Sequence, residues 1–408
     1  MNHPSISVDA LDRPSIGTAR LTIILGSLTI FGPLGIDLYL SAFPVIAASL
    51  GASIADVQLS LSAFVLGLAI GQFIYGPAID RFGRKRPLLF GVALFGVVSF
   101  ALMFVSDPAV FIALRFVQAL GAAAGMVVSR AVIRDLFDVR EGARVLSMMM
   151  AIVSIGPIVA PTLGGVILSF AHWHALFGFI GVFAALCFLA TLRFLPETLA
   201  PAARRRVGPW QVMAIFARLL AQARFIFPAL AGAVAFSSVF AYVSGSPHVF
   251  MGLYGIDQTR FGWVFGINAL GLVVASQLNR KLLVRFAPRT ILIAAVAVNI
   301  LAGALLVFVT GTPVLPVFMA PLMLFMATVP LIGANATALA MGQSGRDAGS
   351  ASSIIGVLQF GLGALMSALV GLLHDPSAYP MTMPMLAGGC ASALVLLLGR
   401  RHLRQVGN

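Results

Sequence analysis

The segment GPAIDRFGRKRP, residues 76–87, places four cations, one carboxylate and two glycines inside an otherwise apolar sequence. Of the 408 residues, 60% are hydrophobic and only 10% are charged, and the mean hydropathy is +1.03. Apolar stretches of about 20 residues flank the segment, and a helix of that length crosses a hydrocarbon core about 30 Å thick. The segment is therefore predicted to be a short loop between two membrane helices.

Apolar stretches of this kind occur twelve times along the chain. Hydrocarbon offers the peptide groups no hydrogen-bond partners, so a spanning segment must satisfy its backbone internally, and the lengths of these stretches favour helices. The sequence therefore predicts an all-α membrane protein with twelve transmembrane helices. The predicted spans are residues 21–43, 57–79, 87–105, 109–134, 144–169, 173–195, 225–249, 258–283, 289–310, 314–340, 349–373 and 380–399.

One long polar connection separates these spans into two sets of six. Arg81 and Phe82 recur as Arg285 and Phe286 at the matching place in the second set, which favours an internal repeat. We therefore predict two pseudo-symmetric six-helix bundles. The predicted organisation is an N-terminal tail (1–20), a first bundle (21–195), the connection (196–224), a second bundle (225–399) and a C-terminal tail (400–408).

The arginines and lysines predict how the bundles are oriented. They lie in alternate gaps between the spans, and the opposite side of the membrane carries only Arg260. Because positively charged loops stay inside the cell, both termini are predicted to be cytoplasmic. The net charge of +13 follows from this topology. The cations are spread among loops rather than grouped with stacking aromatics, so we expect no binding of nucleic acid.

Six motifs carry a family resemblance. Besides GPAIDRFGRKRP, they are IDLYLSAFP at 36–44, LRFVQALGAAAG at 114–125, SRAVIRDLF at 129–137, SIGPIVAPTLGG at 154–165 and YVSGSPHVF at 242–250. With them the chain resembles the major facilitator superfamily, and within it the twelve-span drug:proton antiporters of the Bcr/CflA type. The chain departs from the family pattern at Ser41, where a proline usually follows the aspartate, the aromatic residue and the leucine. That departure concerns the local bend of the first span.

The resemblance implies an antiporter of the bacterial inner membrane that exports small drug-like compounds, of the amphenicol or bicyclomycin type, by alternating access. It also implies that Asp80 faces the start of the eleventh span, near Gly349, Ser350 and Ser352, and latches the two bundles in the outward-open state. The fifth-span motif is implied to permit close helix approach and bending. The predicted gating residues are Gly76, Asp80, Arg81, Gly83, Arg84, Gly156, Pro157, Pro161 and Gly164.

Asp37 stands out by its position in the sequence, independently of the family resemblance. Of thirteen acidic residues, it is the one well within an apolar run. A carboxylate there costs several kcal/mol unless it is neutralised, paired or exposed to water, so we expect Asp37 to carry protons and respond to substrate. The alternative is a helix-end residue that reaches the outer interface.

Arg115 is predicted to act with Asp37. At 1.5 Å per residue, Asp37 lies roughly 10 Å and Arg115 roughly 12 Å below the outer face, so the two charges are expected at one level. If both face a central cavity, Arg115 biases the titration of Asp37. The alternative is a structural cation bonded to helix carbonyls.

Aromatic residues with a few polar groups suit a cavity for a bulky amphipathic ligand. The predicted substrate-binding residues are Asp37, Tyr39, Phe64, Arg115, Gln118, Phe236, Phe240, Tyr242, Asn335 and Gln359.

Two other functional classes compete with this interpretation. The first is a transporter of a natural metabolite, such as a sugar, amino acid or nucleoside. A polar, charge-rich cavity would favour that interpretation, and the sequence offers few residues for one. An integral membrane enzyme is disfavoured because the sequence contains no HExxH, nucleophile elbow or Walker motif. We expect no cofactor, with the proton gradient as energy source, and a monomer whose partners are protons, a small-molecule substrate and the lipid bilayer.

Overall fold

The structure is a computed structural model that describes residues 17–204, 209–342, 348–373 and 375–404. Within these ranges the chain is helical and contains no β-strand. The first half holds eight α-helices and short 3-10 turns at Leu40–Ala42 and Leu102–Phe104. The helices are α1 (Thr18–Thr29), α2 (Phe31–Asp37), α3 (Phe43–Leu50), α4 (Ile54–Phe82), α5 (Lys85–Ala101), α6 (Pro108–Leu136), α7 (Val139–Phe170) and α8 (His174–Phe194).

The second half repeats the pattern after a connecting segment that contains a helix of its own. A π-helical turn, His248–Leu253, extends the seventh span at its C-terminal end. The helices are α9 (Pro209–Ala221), α10 (Ala223–Pro247), α11 (Gln258–Leu282), α12 (Pro288–Phe308), α13 (Leu315–Met341), α14 (Ala348–Leu372), α15 (Tyr379–Leu398) and α16 (Arg400–Arg404).

The twelve predicted spans are present as helical segments. In the part of the chain that the structure describes, eleven are long and apolar enough to cross a membrane. The remaining one is α7, of which the stretch Ile155–Phe170 is apolar. The all-α fold with two sets of six spans, predicted from the sequence, is confirmed.

The first span is longer and more broken than the sequence predicts. Its predicted end is residue 43, but α3 continues to Leu50, where Gly51 closes the helix with a positive φ of 60°. Pro44 lies in the first turn of α3, where no intrahelical partner is lost by its missing N–H, so it begins a helix rather than ending one. At the motif the helix changes to a 3-10 turn, Leu40–Ala42, with Ser41 at its centre.

The connection between the halves also differs from the prediction of a simple polar linker. Residues 209–221 form α9, and a 3-10 turn covers Pro201–Ala203. Apolar residues recur in α9 at helical spacing, which explains why a segment rich in arginine still forms a helix.

Helices α4 and α14 form one of the two main contacts between the halves. The Ser62 hydroxyl donates a hydrogen bond to the Ser367 hydroxyl oxygen across 2.9 Å. Further along, a methyl group at Gly76 would lie 3.5 Å from the Ser353 hydroxyl oxygen. Small and hydroxyl-bearing residues therefore allow these two helices to approach closely over much of their length.

Helices α7 and α11 form the second contact, where the last part of α7 meets the first part of α11. A methyl group at Gly165 would lie 2.5 Å from the Gln258 carbonyl oxygen, and one at Gly262 would lie 2.5 Å from Thr162 Cα. Each helix thus supplies a glycine against which the backbone of the other packs.

Replacing Gly67 by alanine is expected to destabilise the first bundle. Gly67 lies in α4 against α6, and a methyl group there would be 2.5 Å from the Phe116 carbonyl oxygen and 2.7 Å from the Ala119 methyl carbon. Overpacking of this kind costs about 1–3 kcal/mol, so the midpoint of thermal unfolding in detergent should fall. The matched control is Gly271→Ala in α11, where no heavy atom lies within 4 Å. An unchanged midpoint for Gly67→Ala would show that α4 and α6 are not packed this tightly.

Candidate functional site

Arg115 lies in the interior of the first bundle, on α6, and its side chain is fully buried. One terminal nitrogen donates a hydrogen bond to the Gly35 carbonyl oxygen at 2.5 Å, and the other donates to the Gln118 side-chain oxygen. The guanidinium carbon lies 4.2 Å from the ring centres of both Tyr39 and Phe64. Carbonyl, amide and ring faces thus replace most of the water that a cation loses on burial, while the Nε–H has no hydrogen-bond partner in the described structure.

A hydrogen-bonded chain holds Gln118 in place behind the arginine. The Gln118 side-chain nitrogen donates to the Ser99 hydroxyl oxygen at 2.7 Å, and that hydroxyl donates to the Phe95 carbonyl oxygen at 2.6 Å. Sequence reasoning missed Ser99, which looks like an ordinary small residue in an apolar span. This series of hydrogen bonds connects α5 to α6 and holds the Arg115 side chain in one conformation.

Four predicted site residues are therefore brought together, but within one bundle. Tyr39, Phe64, Arg115 and Gln118 all have 4% exposure or less. Arg115 takes the arrangement that the sequence left open as its alternative, a cation bonded to a helix carbonyl.

Asp37 lies at the C-terminal end of α2, next to the break in the first span. It is 4% exposed, and within the described residues its carboxylate accepts no hydrogen bond and forms no ion pair. Arg115 binds the carbonyl of Gly35, two residues earlier, so the two charges lie near one level without being paired. The turn Leu40–Ala42 that follows Asp37 packs against α10 and α11 of the second half. The carboxylate thus lies close to where the two halves meet.

Tyr242 belongs to α10 and is 1% exposed. Its ring stacks on Phe265 of α11 with the centres 5.2 Å apart. The Tyr242 hydroxyl lies beside the Asn268 side chain of α11, although neither this hydroxyl nor the Asn268 side-chain oxygen makes a hydrogen bond of standard geometry in the described structure. The two polar groups are each other's neighbours in an otherwise apolar surrounding. Sequence reasoning did not select Asn268, because one asparagine in an apolar span carries no motif.

The other predicted cavity residues of the second half have contacts of their own, apart from Tyr242 and Asn268. Phe236 and Phe240 form a ring cluster with Phe360, with centres 5.7–5.9 Å apart. Asn335 donates to the Asn279 side-chain oxygen at 2.7 Å and so connects α13 to α11. Gln359 is half-buried in α14. Their predicted role as substrate contacts stays a prediction.

The loop after α4 is organised around Arg84, which is 3% exposed. Its guanidinium donates to Asp80 at 2.6 Å, to Asp135 of α6 at 2.8 Å and to the Ile79 carbonyl oxygen at 2.9 Å. Burial opposes the charge, but the hydrogen bonds and negative charges of Asp135 and Asp80 outweigh burial and raise the pKa of Arg84 above its usual value. The cation therefore stays charged and clamps α4 to α6.

Glu197 completes this loop from the end of the sixth span. One carboxylate oxygen accepts the backbone N–H of Arg84 at 2.8 Å, and the other accepts that of Lys85 at 3.3 Å. Gly83 has a φ of 89°, which favours glycine, and the Glu197 side chain lies directly against it. The glutamate thus binds the free amides at the start of α5. Sequence reasoning missed both Glu197 and the pairing role of Asp135, although acidic residues next to a cationic loop were the available signal.

Asp80 and the start of α14 were predicted to face each other. In the structure, the partner that Asp80 binds is Arg84. The residues that reach the start of α14 are instead Gly76, opposite Ser353, and Arg134 of α6, whose guanidinium lies 3.6 Å from a methyl position at Gly349. Arg81 is exposed, with its guanidinium over the ring of Phe82.

The fifth-span motif makes close contacts with the broken first span. A methyl group at Gly164 would strike the Leu38 carbonyl oxygen and lie 2.8 Å from the Ser41 hydroxyl oxygen, while Gly156 faces Pro33 at 3.3 Å. Pro157 and Pro161 lie inside the helix. The motif therefore seats α7 against the broken first span, next to Asp37.

A family model named Major Facilitator Superfamily matches residues 25–399. The chain belongs to the major facilitator superfamily. It is 37% identical to an uncharacterized MFS-type transporter, YdgK, from Bacillus subtilis (strain 168), over 88% of this chain and 90% of that protein. It is 33% identical to a bicyclomycin resistance protein homolog from Haemophilus influenzae, over 94% of this chain and 97% of that protein.

The solved structures agree on the fold. A mutant form of the nucleoside transporter NupG superposes with a TM-score of 0.70 at 14% identity, covering 94% of this chain and 99% of that one. This major facilitator protein is therefore a multi-pass transporter of the bacterial inner membrane that acts on small molecules, and it is not an enzyme.

Replacing Arg84 by lysine is expected to loosen this transporter's loop clamp. An ammonium group cannot hold two carboxylates and a carbonyl in the geometry of the planar guanidinium, so the free energy of unfolding should fall by about 2 kcal/mol. Thermal unfolding in detergent measures the change. The matched control is Arg81→Lys on the exposed side of the same helix end, which should leave the midpoint unchanged. Equal midpoints for the two variants would contradict the clamp.

Proposed function

We propose that this transporter is a proton-coupled antiporter that exports small drug-like compounds of the bicyclomycin or amphenicol type. The observation that carries the proposal is Asp37, a carboxylate at 4% exposure, unpaired within the described residues, beside the turn that packs against the second half. The name of the Haemophilus influenzae relative supports an antibiotic as the exported compound. A monomer suffices, since one chain contains both halves.

Asp37 is proposed as the proton carrier. The charged form of a buried carboxylate is destabilised when the carboxylate has no bonding partner. Its protonation therefore depends on the side of the membrane from which water reaches it. In the proposed cycle, Asp37 takes up a proton on the outer side and releases it on the inner side. Substrate leaves in the opposite direction, because the two halves expose the same residue to each side in turn.

Arg115 is proposed to act on Asp37 through position and charge. It fixes the backbone of α2 by its bond to the Gly35 carbonyl, two residues from the carboxylate. Its positive charge is held within the same bundle whichever way the protein faces. Movement of the other half, which carries Tyr242, therefore changes the surroundings of Asp37 while Arg115 stays in place.

The gating residues are proposed to regulate the approach of the halves. Gly76 lies opposite Ser353 between α4 and α14, and Gly164 and Gly165 seat α7 against the first span and α11. Asp80, Gly83 and Arg84 are proposed to keep the α4–α5 loop rigid, so that α4 moves as one body with the first bundle. Pro157 and Pro161 are proposed to bend α7 during the movement.

Replacing Asp37 by asparagine is expected to abolish drug-dependent proton release. Asparagine has nearly the same shape but does not titrate, so the chain should fold normally while coupling is lost. The measurement is proton release in inverted vesicles on addition of bicyclomycin, chloramphenicol or a cationic dye, for the parent and for Asp37→Asn. The signal should fall to background.

The matched control is Asp375→Asn, which removes an exposed carboxylate from the loop before α15 and should leave the signal unchanged. Undiminished proton release by Asp37→Asn would reject the assignment of the proton carrier. A parent protein that responds to sugars, amino acids or nucleosides but to no antibiotic would instead support a metabolite transporter.

A further inference from the structure

Helix α9 lies in the connection between the halves and buries only one side. Phe216 and Leu219 are 9% and 1% exposed, and Ile215 is partly buried beside them. These three residues fall on one arc of the helix, since each residue advances by about 100°. The helix is thus fixed to the bundle rather than extended away from it.

The buried side of α9 touches both halves of the transporter. The ring of Phe216 meets the ring of Phe73, on α4 of the first half, edge to face with centres 5.5 Å apart. The same apolar cluster includes Ala340 of α13 and Ile354 of α14, from the second half. Helix α9 therefore lies across the seam between the halves, at their arginine-rich ends.

A second apolar stripe runs along α9 on the adjoining arc and is exposed. It consists of Met213, Ala217 and Leu220, spaced four and three residues apart, with Met213 47% and Leu220 42% exposed. The opposite arc carries Gln211 and Arg218. An amphipathic helix with a bulky apolar stripe beside its buried face, next to a membrane span, is typical of helices that lie in the membrane interface.

The sequence of the connection that holds α9 carries charge of one sign. Between Glu197 and Asp257 the sequence contains no acidic residue, whereas five arginines fall within residues 204–224. Of these, Arg218 and Arg224 are exposed on α9 and at the start of α10. A second copy of the chain would present the same positive surface and be repelled, whereas a surface of anionic lipid would be attracted.

We propose that α9 is an interfacial helix that binds anionic phospholipids of the leaflet on the arginine-rich side. The stripe Met213–Ala217–Leu220 enters the boundary between headgroups and acyl chains, and Arg218 and Arg224 contact the lipid phosphates. Only a position at the level of the headgroups places the apolar stripe in lipid and the arginines among phosphates. Because the inner side of α9 holds Phe73 and the second half together, bound lipid stabilises the seam on that side.

The test measures which lipid surrounds α9 in the full-length chain. Cys390 is exposed and Cys187 is buried, so Cys390→Ser leaves no accessible thiol and Met213→Cys supplies one for a bimane label. The labelled protein is placed in liposomes of phosphatidylglycerol and phosphatidylcholine of fixed composition. In one sample the phosphatidylglycerol is brominated, and in the other the phosphatidylcholine is, so that quenching reports the local enrichment of each lipid.

Quenching by brominated phosphatidylglycerol should exceed quenching by brominated phosphatidylcholine, by up to about fivefold for each cation near the label. Arg218→Gln should reduce this preference, whereas Arg260→Gln, which removes an exposed arginine at the start of α11, should not. A label at Leu220→Cys should behave like the one at Met213, and a label at Ala214→Cys, on the polar arc, should be quenched less.

Two results would overturn the proposal. Equal quenching by the two brominated lipids would mean that the arginines do not select anionic lipid. Absence of quenching at both Met213→Cys and Leu220→Cys would mean that the stripe does not enter the bilayer.

Discussion

The loss of water around Arg115 is the constraint on which the rest of the first bundle depends. An isolated guanidinium in a hydrocarbon-embedded interior is very costly, so every group that faces it must offer negative potential. The Gly35 carbonyl, the Gln118 amide and the ring faces of Tyr39 and Phe64 do so. These partners come from α2, the break in the first span, α4 and α6. One cation therefore ties the broken first span to its neighbours and fixes the backbone beside Asp37.

Arg84, at the end of the bundle, also loses water on burial, and its partners are carboxylates instead of aromatic rings. Near the surface, carboxylates are readily tolerated as partners, and Asp80 and Asp135 supply them from two helices. Glu197 then binds the backbone amides at the start of α5. The two arginines tie the helices of the first half together. The proposed movement between the halves is assigned to the seams α4–α14 and α7–α11, where glycine and serine permit backbones to approach without interlocking side chains.

Several features of the site could be predicted from the sequence because they are local. Asp37 stood out as a lone carboxylate in an apolar run, and the glycines of α7 pointed to close packing. The partners of these residues could not be predicted, since they come from distant parts of the chain. Glu197 lies far from Arg84 in sequence, and Asn268 and Tyr242 meet only when α10 packs on α11. The end of the first span was misjudged at Pro44, because a proline that stops one helix also starts the next.

The sequence by itself determined the membrane class, the twelve helical spans and the division into two halves, since hydrocarbon forces each apolar stretch to satisfy its own backbone within itself. Only the tertiary structure decided which polar atoms are left for function. It enclosed Arg115 within one bundle, left Asp37 unpaired against the other half within the described residues, and placed α9 across the seam. Side-chain partnership depends on which faces of separate helices meet, and that information is spread over the whole chain rather than held in any one segment.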